Sequence, residues 1–269
     1  MFRLFATFIL IVCFVPGVAY AVDIDNIRAR HGPFGALRAK PIKCMPGDLV
    51  FMTFDIENLK LDPKTGKASY DTILELIDPD EKVIFEKKTQ NDVLPHLGGT
   101  RMPGDLYLSL GAKQAAGNYS VRLSVVDKLD KGSAVKKFTQ PFEVIKADFG
   151  FIQTMAPAIG VPGGQYLTTF GIVNLGLDGK KIPDVDVEIK IVDDQGAAVA
   201  KAVKIQLPRD MPPNIDLTQE NFVPLSYPVF LNRAGRFTIE VTAKDNISGK
   251  NAKMSYPLTV LDLNSVAGK

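Results

Sequence analysis

The chain has 269 residues, 46% of them hydrophobic and 23% charged, with a formal net charge of +2. That balance supports packed cores, excludes a long polar disordered chain, and lacks the concentrated basic face that nucleic-acid binding requires. Two cysteines, two histidines and no tryptophan leave little material for disulfide scaffolds, histidine-based metal sites or indole platforms for sugars.

At the start, Arg3 gives a short positive region and an apolar run follows from Leu4 to Val15. Pro16-Gly17 interrupts the run, and Ala19 and Ala21 are the small residues that precede a cleavage point before Val22. The run is shorter than the about 18–20 apolar residues that cross a bilayer. Residues 1–21 are therefore predicted to be a cleaved signal peptide, and the mature chain to be exported, periplasmic or extracellular, with no membrane span. Leu10-Ile11-Val12 lack the small side chains that lipid modification of Cys13 would need, which leaves Cys44 as the one cysteine of the mature chain. It is expected to be a buried apolar side chain rather than a bridge between chains.

Residues 22–38 read as a lead-in. The basic residues Arg28, Arg30, His31, Arg38, Lys40 and Lys43 cluster there and just beyond. A solvated arm is the favoured reading, with docking on an acidic envelope polymer or partner as the competing one.

The chain then repeats itself. PGDLVFMTFDIENLKLD (Pro46 to Asp62) aligns without gaps with PGGQYLTTFGIVNLGLD (Pro162 to Asp178) at an offset of 116, and AGNYSVRLSVVD (Ala116 to Asp127) matches AGRFTIEVTAKD (Ala234 to Asp245) at 118. In the second pair Tyr119, Val121, Leu123 and Val125, and likewise Phe237, Ile239, Val241 and Ala243, alternate with polar residues. This is the period of a half-buried strand.

In the first copy strands are predicted near 41–44, 48–56, 70–77, 83–88, 106–110, 118–126 and 134–144, with turn signals such as Asp78-Pro79 and Pro103-Gly104 between them. The predicted fold is all-β: two tandem antiparallel β-sandwich domains, over 39–146 and 147–263, followed by a tail at 264–269. The join has no Gly/Ser or Pro-rich spacer, so the domains should abut. Phe149 and Phe151 are read as the first core residues of the second domain, ahead of a role at the junction.

Gly117-Asn118-Tyr119 resembles the start of the F strand in immunoglobulin-like and fibronectin type III-like modules, where such a pattern forms a tyrosine corner. The resemblance implies that the Tyr119 hydroxyl bonds a nearby backbone group. Gly235 and Phe237 stand at the equivalent places in the second copy, where no hydroxyl is available. Val121 and Ile239 occupy the position of the family's second cysteine, so the usual cysteine–tryptophan core is absent.

Little of the sequence suggests catalysis. His31 and His96 lie beside no cysteine or carboxylate cluster, and there is no nucleophile elbow, phosphate-binding loop or dinucleotide fingerprint. Paired carboxylates of glycosidase type leave no local spacing and are weighed only by the little chain left to build a cleft. No enzyme activity and no cofactor are expected.

The repeated Asn58…Asp62 and Asn174…Asp178 are weak calcium candidates, since each loop offers two suitable side chains against the six to eight oxygens calcium takes. Turn capping is favoured for them and for Asp127 and Asp245, which end the repeated strands. Asn118-Tyr119-Ser120 and Asn246-Ile247-Ser248 fit the glycosylation pattern by chance.

The expected function is an exported interaction or structural protein whose partner is a protein or an envelope polysaccharide. Segments 89–103 and 209–224 are candidate contact surfaces. The alternatives are a periplasmic assembly chaperone, which also pairs two such domains, and a polysaccharide-binding module.

Overall fold

The computed structural model describes residues 21–130, 135–213, 215–217 and 222–262. Residues 1–20 of the predicted signal peptide, Ala134 and the predicted tail 264–269 fall outside them. Among the described residues every helix or strand element is a strand.

The first sandwich comprises β1 (Asp23–Arg30), β2 (Lys43–Cys44), β3 (Leu49–Glu57), β4 (Ala68–Ile77), β5 (Val83–Val93), β6 (Met102–Ser109), β7 (Gly117–Asp127) and β8 (Val135–Val144). A three-stranded sheet ordered β1-β3-β6 faces a five-stranded sheet ordered β2-β8-β7-β4-β5. The second comprises β9 (Gly150–Met155), β10 (Ile159–Gly160), β11 (Gln165–Val173), β12 (Val185–Asp193), β13 (Val203–Leu207), β14 (Phe222–Phe230), β15 (Gly235–Asp245) and β16 (Asn251–Val260). Its sheets, β9-β11-β14 and β10-β16-β15-β12-β13, repeat the first arrangement strand for strand. Among the described residues only the short β2–β8 and β10–β16 pairs are parallel. This split of the first strand between two sheets, with Greek-key crossing, is the immunoglobulin-like layout.

Alternation decides which face is buried. On β7 Tyr119, Val121, Leu123 and Val125 enter the core, where they meet Met52, Phe54 and Leu106 from the opposite sheet. On β15 Ile239, Val241 and Ala243 do the same against Phe170, Ile172 and Leu225. The Tyr119 ring stacks on Phe142 at 5.9 Å, and its hydroxyl donates to the Ala115 carbonyl at 3.0 Å. Phe237 stands in the second copy under the Arg233 guanidinium, 5.0 Å from its ring centre. Phe149 is buried in the second core, and Phe151 packs edge-on against Phe170.

Residues 22–38 are not a solvated arm, which corrects the sequence reading. Asp23–Arg30 forms β1, paired with β3 from Asp23↔Glu57 to Arg30↔Phe51, and Val22, Ile24 and Ala29 join the first core. A bulge hid the strand. Asn26 adopts a φ of 51° and the register shifts between Asp25 and Arg28, so the apolar positions lose their period of two. The candidate contact segments are also shorter than the sequence suggests. β5 runs on to Val93 and β6 starts at Met102, while β14 starts at Phe222.

Two buried carboxylates tie strand ends to a neighbouring loop at equivalent places. Asp127 accepts the Lys60 and Leu129 N–H groups, each at 2.9 Å. Asp245 accepts the N–H groups of Gly176, Ile247 and Ser248 and the Ser248 hydroxyl. Burial works to raise the Asp245 carboxyl, but the Ser248 and backbone donors outweigh it and hold it below the usual carboxylate range. Its contribution to stability is therefore complete above the ordinary carboxylate pKa and is lost as pH falls through the lowered value. Asp245→Ala is expected to cost about 2–3 kcal/mol in urea unfolding at pH 7. Asp178→Ala, at an exposed turn, should cost under about 1 kcal/mol. Equal costs would contradict this account.

Candidate functional site

The two sandwiches meet at a buried ion pair. Arg38 follows β1 and reaches Asp48, with Nη1 2.9 Å from Oδ2 and Nη2 3.3 Å from Oδ1. Nη2 also donates to the Leu49 carbonyl at 2.7 Å, and Nη1 lies 3.5 Å from the Cys44 sulfur. The pair is almost fully enclosed, with side chains 8% and 7% exposed. Asp48 Oδ1 accepts the N–H of Leu49 at 2.7 Å and, across the junction, the N–H of Gln153 at 2.7 Å. The Gln153 side chain answers with a bond to the Gly47 carbonyl at 2.9 Å.

Gln153 can do this because β9 bulges there. Its φ is 52° and the register with β11 shifts around it, which releases its N–H from the ladder towards the other domain. Asn26 on β1 occupies the corresponding bulge, but its side chain bonds Asp55 within its own sheet.

The turn from His31 to Ala36 clasps the second domain with backbone bonds. The Ala156 N–H donates to His31 O, the Ala36 N–H to Ala156 O, and the Ala158 N–H to Phe34 O. Gly35 permits the turn, because a Cβ there would overlap the His31 carbonyl. Ala36 consequently belongs to the second core although it follows the first strand of the first domain.

Beside this clasp lies a cavity of about 800 Å³ with walls from both domains. Phe34, Pro33 and Phe51 contribute from one side and Ile159 and Tyr166 from the other, with Arg30 and Asp105 as its charged groups. Phe34 is 82% exposed and Ile159 is 55% exposed. Arg30 is held in place by Thr53 Oγ1 at 3.1 Å and the Gly35 carbonyl at 2.8 Å.

The titratable groups under the clasp are tuned away from nucleophilic chemistry. Burial, reinforced by Arg38, pushes the His31 imidazole down to about 4. Burial pushes the Cys44 thiol up to about 12. At neutral pH the thiol and the ring are both uncharged, opposite to the thiolate and imidazolium of a cysteine nucleophile.

The repeated polar residues sit at loop ends and bind backbone. Asp62 accepts from Lys64 and Thr65 of its own turn, and Asp178 from Lys180 and Ile182. Asn58 and Asn174 take φ values of 61° and 55°, and their amides donate to Ala21 O and Asp148 O. No group of three or more metal-ligating side chains occurs among the described residues. His96 is exposed on the segment after β5. The junction residues Arg38, Asp48 and Gln153 were missed as a set, because no local spacing links positions on three different elements.

No protein-family model matches the chain, and a search of curated proteins found no match. Among solved structures it is similar to red sea bream transglutaminase, at 11% identity and a TM-score of 0.30, over 90% of this chain and 32% of that one. It is similar to the C-terminal domain of the Streptococcus agalactiae AgI/II polypeptide BspA, at 9% identity and 0.32, over 88% of this chain and 100% of that one. The C-terminal domain of the Streptococcus pyogenes antigen I/II-family protein AspA matches at 10% identity and 0.32, over 90% and 100%. The chain spans about a third of the transglutaminase. These likenesses are too loose to assign a family or a function.

Removing one partner of the buried pair strands the other charge. Arg38→Ala or Asp48→Ala should each cost about 3–5 kcal/mol, whereas the double change Arg38→Met with Asp48→Leu should restore most of it. A double variant as unstable as the singles would show that the pair does not act as a unit.

The His31 ring predicts a pH response of known sign. Its folded value lies below the ordinary 6.5, so stability is full above 6.5 and declines as pH falls towards 4. Between pH 7 and pH 4 the chain should lose about 2–3 kcal/mol more than a His31→Gln variant does. Parallel pH curves for the two proteins would refute the assignment.

Proposed function

We propose that this chain is an exported, non-catalytic interaction module that holds a protein partner along the groove where its two sandwiches meet. The observation that carries this reading is the apolar cavity beside the clasp, with Phe34 and Ile159 exposed on opposite walls. An exposed aromatic on a positioned turn is a common anchor for a protein partner. The junction keeps the two walls in register, so a partner meets one surface built from two domains. Export rests on the signal-like residues 1–21. No helix among the described residues is long and apolar enough to cross a membrane. The uncharged state of both Cys44 and His31 supports a binding role over covalent chemistry.

The test uses the chain from Val22 as bait on envelope and culture-fluid fractions of its own organism, followed by protein mass spectrometry and sugar analysis. A reproducible protein is expected, retained about tenfold less by Phe34→Ser. The variant should melt within about 2 °C of the parent, because the side chain is exposed. Retention of glycan alone, or of proteins insensitive to Phe34, would overturn the reading.

A further inference from the structure

We infer that protonation of His31 releases the turn at residues 31–36 from the second sandwich, so that acid loosens the junction while both cores stay folded. The effect belongs to the junction itself and does not depend on the partner proposed above.

His31 stands where the turn begins, and its backbone is part of the clasp. Its N–H donates to Ala36 O at 2.9 Å, and its carbonyl accepts from the Ala156 N–H at 3.1 Å. The ring Nδ1 is buried and has no hydrogen-bond partner among the described residues. The charged groups acting on the ring, Arg38 and Asp48, both come from the first sandwich, with the uncharged Cys44 thiol beside Arg38. Met155, Ala156 and Ala158, which the turn meets on the second sandwich, carry no charge.

A second proton on the ring finds no place there. An imidazolium has two N–H donors, and the buried Nδ1 has no acceptor to meet. Asp48 is the nearby carboxylate, but it already takes both terminal nitrogens of Arg38 and the N–H groups of Leu49 and Gln153. The new cation would also stand beside Arg38 in a site shielded from water. Burial and Arg38 hold the ring at about 4 against its ordinary 6.5, so a ring released to solvent takes up the proton far more readily than one held in the clasp.

The turn is the part that can yield. His31 belongs to neither hydrophobic core, and the turn adds only Ala36 to the second one. Of the hydrogen bonds named above that cross the junction, the turn makes three and Gln153 two. Releasing the turn therefore removes most of those bonds and leaves every strand ladder paired. Opening a short segment outside the cores takes less free energy than unfolding a domain. Phe34 rides on the turn and Ile159 on the second sandwich, so the same release separates the two walls of the groove.

The test is backbone amide exchange of the intact chain, followed by NMR from pH 7 to pH 4, with each rate corrected for that of an exposed amide at the same pH. Exchange of Ala36, Ala156 and Ala158 should quicken about a hundredfold as pH falls from 6.5 to 4. In a His31→Gln variant it should change less than about threefold, because no ring is there to titrate. Urea at about 1 M should speed Val121 and Ile239 about fivefold or more, since core amides exchange through global unfolding, and the three clasp amides less than about twofold. Where His31→Gln does not fold, His31→Asn takes its place. Equal quickening in parent and variant would overturn the inference, since another group would then be the trigger. Clasp amides that share the urea dependence of the cores would do the same, because the junction would then open only with the whole fold. Clasp exchange that stays unchanged down to pH 4 would also overturn it.

Discussion

The buried Asp48 carboxylate is the constraint on which the relation of the two sandwiches depends. It neutralises Arg38, terminates the turn into β3 through the Leu49 N–H, and accepts the Gln153 N–H from the other domain. Two charges this enclosed are tolerated because they face each other and because Asp48 and both terminal nitrogens of Arg38 are hydrogen-bonded. The buried Arg38 Nε has no partner among the described residues. A buried pair of this kind is weak evidence for stability but strong evidence for geometry, since displacement of either domain would leave a charge without its partners. The clasp of residues 31–36 and the groove beside it inherit their positions from that pair.

Duplication explains the architecture, and the two copies have diverged at particular places. Both sandwiches share strand order, a bulge in the first strand, and a buried aspartate that secures a loop from the end of the seventh. The first-strand bulge serves its own sheet in the first copy and bridges domains in the second. The last strand of the larger sheet turns aliphatic side chains, Val203, Ile205 and Leu207, towards the core in the second copy and polar ones, Lys87, Thr89 and Asn91, at the matching places in the first. Phe237 replaces Tyr119, so the hydroxyl-to-backbone bond of the first corner gives way to packing beneath Arg233.

The chemistry beneath the clasp is conservative in the physical sense. His31 and Cys44 sit where burial disfavours either charged form, and Arg38 already supplies the one cation that Asp48 requires. Protonating the ring would place a second positive charge beside the first. The same burial that disfavours both charged forms underlies the expected response of the junction to acid.

Much of the fold was legible in the chain itself, because period-two alternation and a gapless repeat are local signals. Tyr119 to Val125 and Ile239 to Ala243 show their buried faces without reference to any neighbour. The Gly-x-Tyr pattern drew attention to Tyr119, and the Asn and Asp residues at loop ends were readable as caps because their partners lie within a few residues. What no local signal carried was β1, whose alternation is broken by the Asn26 bulge, and the junction, whose members Arg38, Asp48 and Gln153 are far apart in sequence. The basic cluster of residues 28–43 looks like a charged arm until the fold buries Arg38 against Asp48 and folds His31 beneath the second domain. The sequence by itself determined that the chain would form two similar sandwiches, since side-chain period and turn chemistry act over a few residues. Only the tertiary structure decided how the sandwiches join, because that depends on contacts between distant segments.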